Sequence, residues 1–210
     1  MRRMVYTVTL AALANASVAQ APGQPPRLVR AQIGPAPWNV RSGGIAACEV
    51  AISESGAVVG VDLVQDVAPY GAQLSEAVRS WQFEPAVEQG RRVGARVLVL
   101  GFFRPPTLSI QAPENPRYKT TSAPEEIPWP TFVAVPPYPA NVVGSGKVIV
   151  EADVSDEGAV ASARVLAPGT AFDAVALDTA RQWTFRPASR SGRAVGARAY
   201  LVFSFVGVTP

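Results

Sequence analysis

The stretch AVRSWQFEPAVEQGRRVGAR, residues Ala77–Arg96, decides the fold, because it returns as TARQWTFRPASRSGRAVGAR at Thr179–Arg198. The Trp-x-Phe-x-Pro block, the glycines and the final arginine keep their spacing in both copies without a gap. Two copies of a unit of about 70 residues are typical of a duplicated small domain, whereas a solenoid needs three or more repeats. The sequence therefore predicts two tandem domains of one fold.

The first 21 residues, MRRMVYTVTLAALANASVAQA, have the composition of an export signal. Arg2 and Arg3 form a basic start, a short apolar run follows, and small residues then stand where a signal peptidase cleaves. We predict a cleaved signal peptide over residues 1–21 and a periplasmic mature protein. The alternative is an inner-membrane anchor through residues 4–21, for which the apolar run is short and interrupted by polar residues.

Two segments are rich in proline and lack periodicity. Residues 22–36 predict a flexible Pro-rich N-terminus of the mature protein. Residues 105–137 predict an extended, semi-rigid linker, since ten of the chain's twenty prolines fall between positions 105 and 139. The domains are accordingly predicted at residues 37–104 and 138–208.

Each predicted domain shows the same order of hydrophobic patterns. In the first, alternating apolar residues indicate strands at Ala46–Ile52 and Val58–Val64, and the spacing of Leu74, Ala77, Val78 and Trp81 indicates a helix. A long third strand follows at Val93–Phe103. The second copy repeats this order, so we predict an α+β fold of two tandem ββαβ domains, each an antiparallel sheet with one packed helix.

The aromatic residues of the repeated block are predicted to lie in the core. Trp81 and Phe83 in the first copy, with Trp183 and Phe185 in the second, follow the apolar face of the helix. Exposed tryptophans that serve as ligand platforms are the alternative interpretation. The single cysteine, Cys48, lies among apolar strand residues and is interpreted as a core residue rather than a reactive thiol.

The residue inventory argues against several classes of function. The chain has no histidine, which excludes Ser-His-Asp and Cys-His catalysis and most zinc sites. The acidic pair Glu151 and Asp153 is interpreted as a solvated strand face, and Gly144–Lys147 lacks the hydroxyl residue of a phosphate loop. The arginines are scattered, so nucleic acid is not a predicted partner. We therefore predict no catalytic residues, no metal and no cofactor.

The second copy resembles the TonB C-terminal domain family. The resemblance rests on Tyr138-Pro139, on Gly146-Lys147-Val148, on Asp156-Glu157-Gly158 and on the block Arg181–Ala188 with its Trp-x-Phe-x-Pro core. It covers essentially all of residues 138–207, while the first copy resembles the family more loosely.

The resemblance implies a non-enzymatic periplasmic module that binds a peptide segment of an envelope transport protein by strand addition. A TonB-dependent outer-membrane transporter is the implied class of partner. Strand addition needs an exposed sheet edge, and the third strand is the expected edge. Its expected binding residues are Val195, Ala197, Arg198, Ala199, Tyr200, Leu201, Val202 and Phe203. The alternative is a structural envelope protein that forms a homo-oligomer through its sheet edges.

Export predicts a defined mature N-terminus. Protein from the native host is expected to begin at Gln20 or Pro22 and to be soluble in the periplasm, because a signal peptidase reads the small residues before those positions. N-terminal sequencing of fractionated cells measures this. Intact Met1 in the membrane fraction would favour the anchored alternative instead.

Overall fold

The two repeats form one continuous six-stranded sheet. The computed structural model describes residues 23–34, 43–103 and 124–207. The predicted signal peptide and most of the predicted linker lie outside these residues. Within them the fold class is α+β, as predicted, with strands and two helices in repeated order.

The first repeat contributes seven strands and one helix. In chain order these are β1 (Arg27–Arg30), β2 (Gly44–Ile52), β3 (Val58–Gln65), α1 (Tyr70–Arg79), β4 (Gln82–Glu84), β5 (Ala86–Glu88), β6 (Arg91–Val93) and β7 (Ala95–Phe103). The predicted ββαβ order is thus present, and the short strands β4 to β6 are additional.

The second repeat has the same elements at equivalent positions. They are β8 (Trp129–Phe132), β9 (Gly146–Val154), β10 (Val160–Leu166), α2 (Asp173–Ala180), β11 (Thr184–Arg186), β12 (Ala188–Arg190), β13 (Arg193–Val195) and β14 (Ala197–Phe205). The large sheet has the strand order β10-β9-β14-β7-β2-β3.

A glycine turn connects the strand hairpin to the aromatic block in each repeat. The amide of Phe83 donates to the carbonyl of Gly56 at 3.0 Å, and that of Phe185 donates to Gly158 at 2.8 Å. Gly56 has a φ of +87°, and a Cβ there would lie 1.8 Å from the Phe83 carbonyl oxygen. Only glycine fits this approach, which explains why both turns carry one.

The two helices lie on opposite faces of the sheet. The described core residues form two hydrophobic clusters. One contains Ala176 and Ala180 of α2, and the other contains Leu74 and Val78 of α1. Successive strand residues point to opposite faces, and β14 supplies Leu201 to the α2 cluster but its neighbour Tyr200 to the α1 cluster.

The segments before each repeat belong to the fold. We expected residues 22–36 to be flexible, but Arg27–Arg30 forms strand β1 and pairs with β4. The end of the predicted linker likewise forms β8, which pairs with β11. The physical reason is the tryptophans of the repeated block, whose indole N–H groups need acceptors when buried. Trp81 donates to the Gln32 carbonyl at 3.1 Å, and Trp183 donates to Ala134 at 3.0 Å.

Truncation of either repeated tryptophan should destabilise the whole protein. Trp81 and Trp183 are 2% and 1% exposed, and replacing a buried tryptophan with alanine costs about 3–5 kcal/mol. Because the repeats share a sheet, we expect the whole protein to unfold in one transition. Trp81→Ala and Trp183→Ala should each lower the midpoint temperature of that transition. Calorimetry measures this, and two separate transitions in either variant would contradict a single cooperative unit.

Candidate binding edges and the central seam

The expected binding edge lies in the middle of the sheet. Strand β14 pairs antiparallel with β9 on one side and parallel with β7 on the other. We call the parallel pair of β7 and β14 the central seam; it runs from Ala199 opposite Leu98 to Ser204 opposite Phe103. The expectation of a free edge at β14 is therefore wrong, because the first repeat already occupies its backbone groups.

The side chains of the expected edge are mostly buried as well. Val195 lies outside β14, in the hairpin of β12 and β13, where it pairs with Ala188. Ala197 and Arg198 are half-buried, and the residues from Ala199 to Phe203 are buried. The parity of Tyr200, opposite to that of Ala199 and Leu201, predicts a side chain that points away from the core, but this side chain is 0% exposed. The reason is α1, which covers the face of the seam opposite α2.

A continuous apolar run was the missed sequence signal. Val97, Leu98, Val99 and Leu100 are consecutive in β7, and β14 contains Ala-Tyr-Leu-Val-Phe at 199–203. A strand with one wet face alternates, whereas a strand buried on both faces reads as a nearly unbroken apolar run, as in parallel sheets. Every second residue of these strands indicates one buried face, and the residues between them, which are also apolar, indicate the other.

Tyr200 connects the second repeat to the segment before the first. Its hydroxyl donates to the carbonyl of Pro26 at 2.9 Å and accepts the amide of Leu28 at 3.0 Å. The carboxylate of Glu151 lies 3.3 Å from the same hydroxyl. Burial raises the pKa of Tyr200 above its ordinary value of 10, and the negative charge of Glu151 raises it further.

Buried carboxylates on the sheet face are paired with arginines. We expected Glu151 on a solvated face, but it is 4% exposed, because arginines of the neighbouring strands neutralise it: Arg164 lies 2.8 Å away and Arg198 3.6 Å away. Its equivalent in the first repeat, Glu49, is 5% exposed and binds Arg96 at 2.6 Å. That hydrogen bond raises the pKa of Arg96. The arginines thus offset part of the cost of removing these two carboxylates from water.

A cavity of about 490 Å³ lies where the repeats meet. Its lining residues are Glu49, Arg96, Pro124, Glu125, Glu126, Ser189, Ser191 and Gly192. Arg96 bridges the cavity wall through Glu49 and through Glu126, which lies 3.0 Å away. Among the described residues no group of three or more metal-ligating side chains converges, here or elsewhere.

The outer strands β3 and β10 form the free edges of the large sheet. Each has a partner on one side only within the described chain. β3 has two register irregularities against β2, between Ala47 and Cys48 and between Ala51 and Ile52. β10 has one, near Val160, and then pairs regularly with β9 from Ser162 to Leu166. Bulges discourage edge pairing, so β10 is the more regular template.

Helix α2 runs beside this edge and is apolar on most of its surface. Its sequence DAVALDTA carries apolar side chains at five of eight positions. Val175 and Leu177 are only half-buried, and Ala174 is exposed. A helix that is apolar around its circumference usually has a partner on its outer side. None of the described helices, α2 included, is long and apolar enough to span a membrane.

Comparison with known proteins identified one family. Residues 136–206 match the family model for the Gram-negative bacterial TonB protein C-terminal, a protein-interaction domain without enzymatic activity. The match begins in the segment that packs under Trp183 and ends just after β14. Comparison with curated proteins found no match to the chain.

The buried hydroxyl of Tyr200 predicts a pH-dependent loss of stability. Its pKa is higher in the folded than in the unfolded protein, so above pH 10 the unfolded state releases a proton that the folded state keeps. Stability should fall as the pH rises through 10. The variant Tyr200→Phe lacks the ionisable hydroxyl and therefore lacks this part of the stability loss. Its melting temperatures at pH 8 and pH 10.5 should differ by less than those of the wild type. An equal difference would contradict the role of Tyr200.

Proposed function

We propose that the protein, whose residues 136–206 match the family model for the TonB protein C-terminal, is a periplasmic module that binds an extended segment of an envelope transport protein. The segment adds as a strand to the sheet, and a TonB-dependent outer-membrane transporter is the proposed class of partner. Strand addition supplies affinity through the backbone and specificity through alternate side chains.

The free edge of β10 carries this proposal. From Ser162 to Leu166 the strand pairs regularly with β9, so its outward N–H and C=O groups have the spacing of a template. Strand β14 cannot serve, since β7 and β9 saturate its backbone. A partner would have to displace buried residues of the first repeat to reach it.

Helix α2 gives the added strand an apolar neighbour. Val175 and Leu177 of α2 pack against the same cluster as Ala163 and Val165 of β10. A segment on the β10 edge would therefore place alternate side chains against this half-buried surface. The other side chains would face Ser162 and Arg164 on the polar side of the sheet. An extended segment with apolar residues at alternate positions fits this edge best.

Neighbouring proline substitutions in β10 test the edge. Amides in an edge strand alternate between the inner partner and solvent, so only one of Ser162→Pro and Ala163→Pro removes an outward donor. The variant that loses the outward amide should keep the wild-type melting temperature, and the melting temperature therefore tells which of the two it is. It should bind peptides from transporter N-termini about tenfold more weakly, measured by fluorescence anisotropy. Ser162→Ala is the control, and tight binding by the folded proline variant would exclude the β10 edge.

A crosslink distinguishes the outer edge from the central seam. Leu98 and Ala199 are directly opposite in the parallel pair and lie in the same cluster. The variant Leu98→Cys/Ala199→Cys, with Cys48→Ala to remove the native thiol, should form a disulfide across the seam. Peptide binding should be equal in the oxidised and reduced forms if β10 is the site. Loss of binding on oxidation would show that the seam must open.

Self-association is the second candidate function. The two free edges stand at opposite ends of one sheet, so β10 of one molecule pairing with β3 of the next would extend the sheet without closing. The bulges of β3 oppose such growth. Light scattering after size exclusion separates the two candidates, since a monomer at high concentration leaves both edges free for other partners.

A further inference from the structure

The segment Gly23–Gly34, which we call the N-terminal strap, lies across the first repeat as a bound peptide would. Its backbone makes most of its polar contacts. Gln24 exchanges two backbone hydrogen bonds with Val87, at 2.8 and 2.9 Å. Leu28 pairs with Phe83, and the Tyr200 hydroxyl bonds the backbone at Pro26 and Leu28. These contacts recognise an extended chain through its main-chain groups.

The strap inserts few side chains into the protein. Only Pro26 and Leu28 are buried among its twelve residues, and Val29 is 63% exposed. The equivalent segment of the second repeat, residues 125–136, provides a comparison inside the same molecule. Six of its twelve residues are buried: Ile127, Pro128, Trp129, Pro130, Val133 and Pro136. Because burial of apolar surface dominates docking free energy, the N-terminal strap is the more weakly held of the two.

The surface beneath the strap, which we call the groove, is built from packed aromatic rings and fixed hydrogen-bond donors. Tyr200 contacts Phe83 and Trp81 through edge-on ring packing, with centroids 5.5 and 6.5 Å apart. Leu28 is buried in the same cluster as these rings. Arg198 donates to the Pro26 carbonyl at 3.3 Å and is itself held by Asp153 at 2.8 Å. The groove therefore combines an aromatic wall with fixed donors for one backbone carbonyl.

We propose that this groove is a second peptide-binding site, closed in cis by the N-terminal strap and open to a partner's extended segment when the strap lifts. The segment it fits has proline, then any residue, then an aliphatic residue. The proline carbonyl accepts from Tyr200 and Arg198, the next residue faces solvent as Arg27 does, and the aliphatic side chain enters the aromatic cluster. This site is separate from the β10 edge and does not depend on it.

The inference is tested in the full chain with strap variants. Leu28→Asp should displace the strap from the groove, because the docked strap would bury a carboxylate charge against aromatic rings. Val29→Asp adds the same charge to an exposed neighbouring position and is the matched control. The probe is a fluorescent peptide of residues 23–34, GQPPRLVRAQIG. A tethered strap competes at an effective concentration of roughly millimolar. Leu28→Asp should therefore bind the probe at least about tenfold more tightly than the wild type and Val29→Asp.

Substitution of the tyrosine hydroxyl locates the binding. Adding Tyr200→Phe to Leu28→Asp should remove most of the gained affinity while circular dichroism stays unchanged, because the ring remains and only its hydrogen bonds are lost. No gain in Leu28→Asp overturns the proposal. A gain that Tyr200→Phe leaves intact also overturns it, since the probe would then bind elsewhere.

Amide exchange in the wild type keeps the inference testable if Leu28→Asp does not fold. The amide of Val87 bonds the strap at Gln24, and the amide of Ser189 bonds the equivalent segment at Glu125. Strap opening by local unfolding exposes the first amide only. Val87 should therefore exchange about tenfold faster than Ser189. Equal protection of the two amides would show that the strap does not open separately and would overturn the proposal.

Discussion

The structure depends on the parallel pairing of β7 with β14. Leu100 and Leu201, opposite each other in this seam, are 0% exposed, and helices cover the two faces of the sheet from opposite sides. Neither repeat alone could bury both faces of its third strand, since each supplies one helix. The register departs by one residue from the repeat itself: Leu98 is equivalent to Tyr200 but pairs with Ala199. The two repeats therefore share one sheet, with their helices on opposite faces.

The two repeats differ where the N-terminal strap and its equivalent, residues 125–136, cover the central seam. Leu98 in the first repeat lies in a cluster with Ile127 and Trp129, so an apolar segment packs there. Its equivalent, Tyr200, instead presents a hydroxyl that binds the backbone at Pro26 and Leu28. One substitution between the repeats thus changes how the covering segment is held, from side-chain burial to main-chain hydrogen bonding. The two covering segments accordingly differ in burial, with two of twelve residues buried in the N-terminal strap and six of twelve in residues 125–136.

Occupation of the third strand by the repeat itself moves the available binding surface outward. In a single domain of this type the third strand would be an edge with unpaired backbone groups. Here the third strands β7 and β14 of the two repeats pair with each other, so β3 and β10 are the outer strands of the sheet. The ion pair between Glu88 and Arg190, which occupy equivalent positions in the two repeats, also joins the halves across their hairpins. Strand addition to the large sheet would therefore have to use one of these outer edges, since the third strand of each repeat is paired on both sides.

The sequence by itself determined the repeat, the α+β class, the ββαβ order and the burial of Trp81 and Trp183. These follow from local periodicity and from a block whose spacing is the same in both copies. The tertiary structure decided which strand became the edge and where Tyr200 points. Pairing between strands about 100 residues apart leaves no local periodic signature, and the unbroken apolar run at 199–203 indicates burial on both faces without identifying the strand and the helix that cover them. The docking of the N-terminal strap could not be predicted from the sequence either. Its partners, the Trp81 indole and the Tyr200 hydroxyl, come together only in the folded protein.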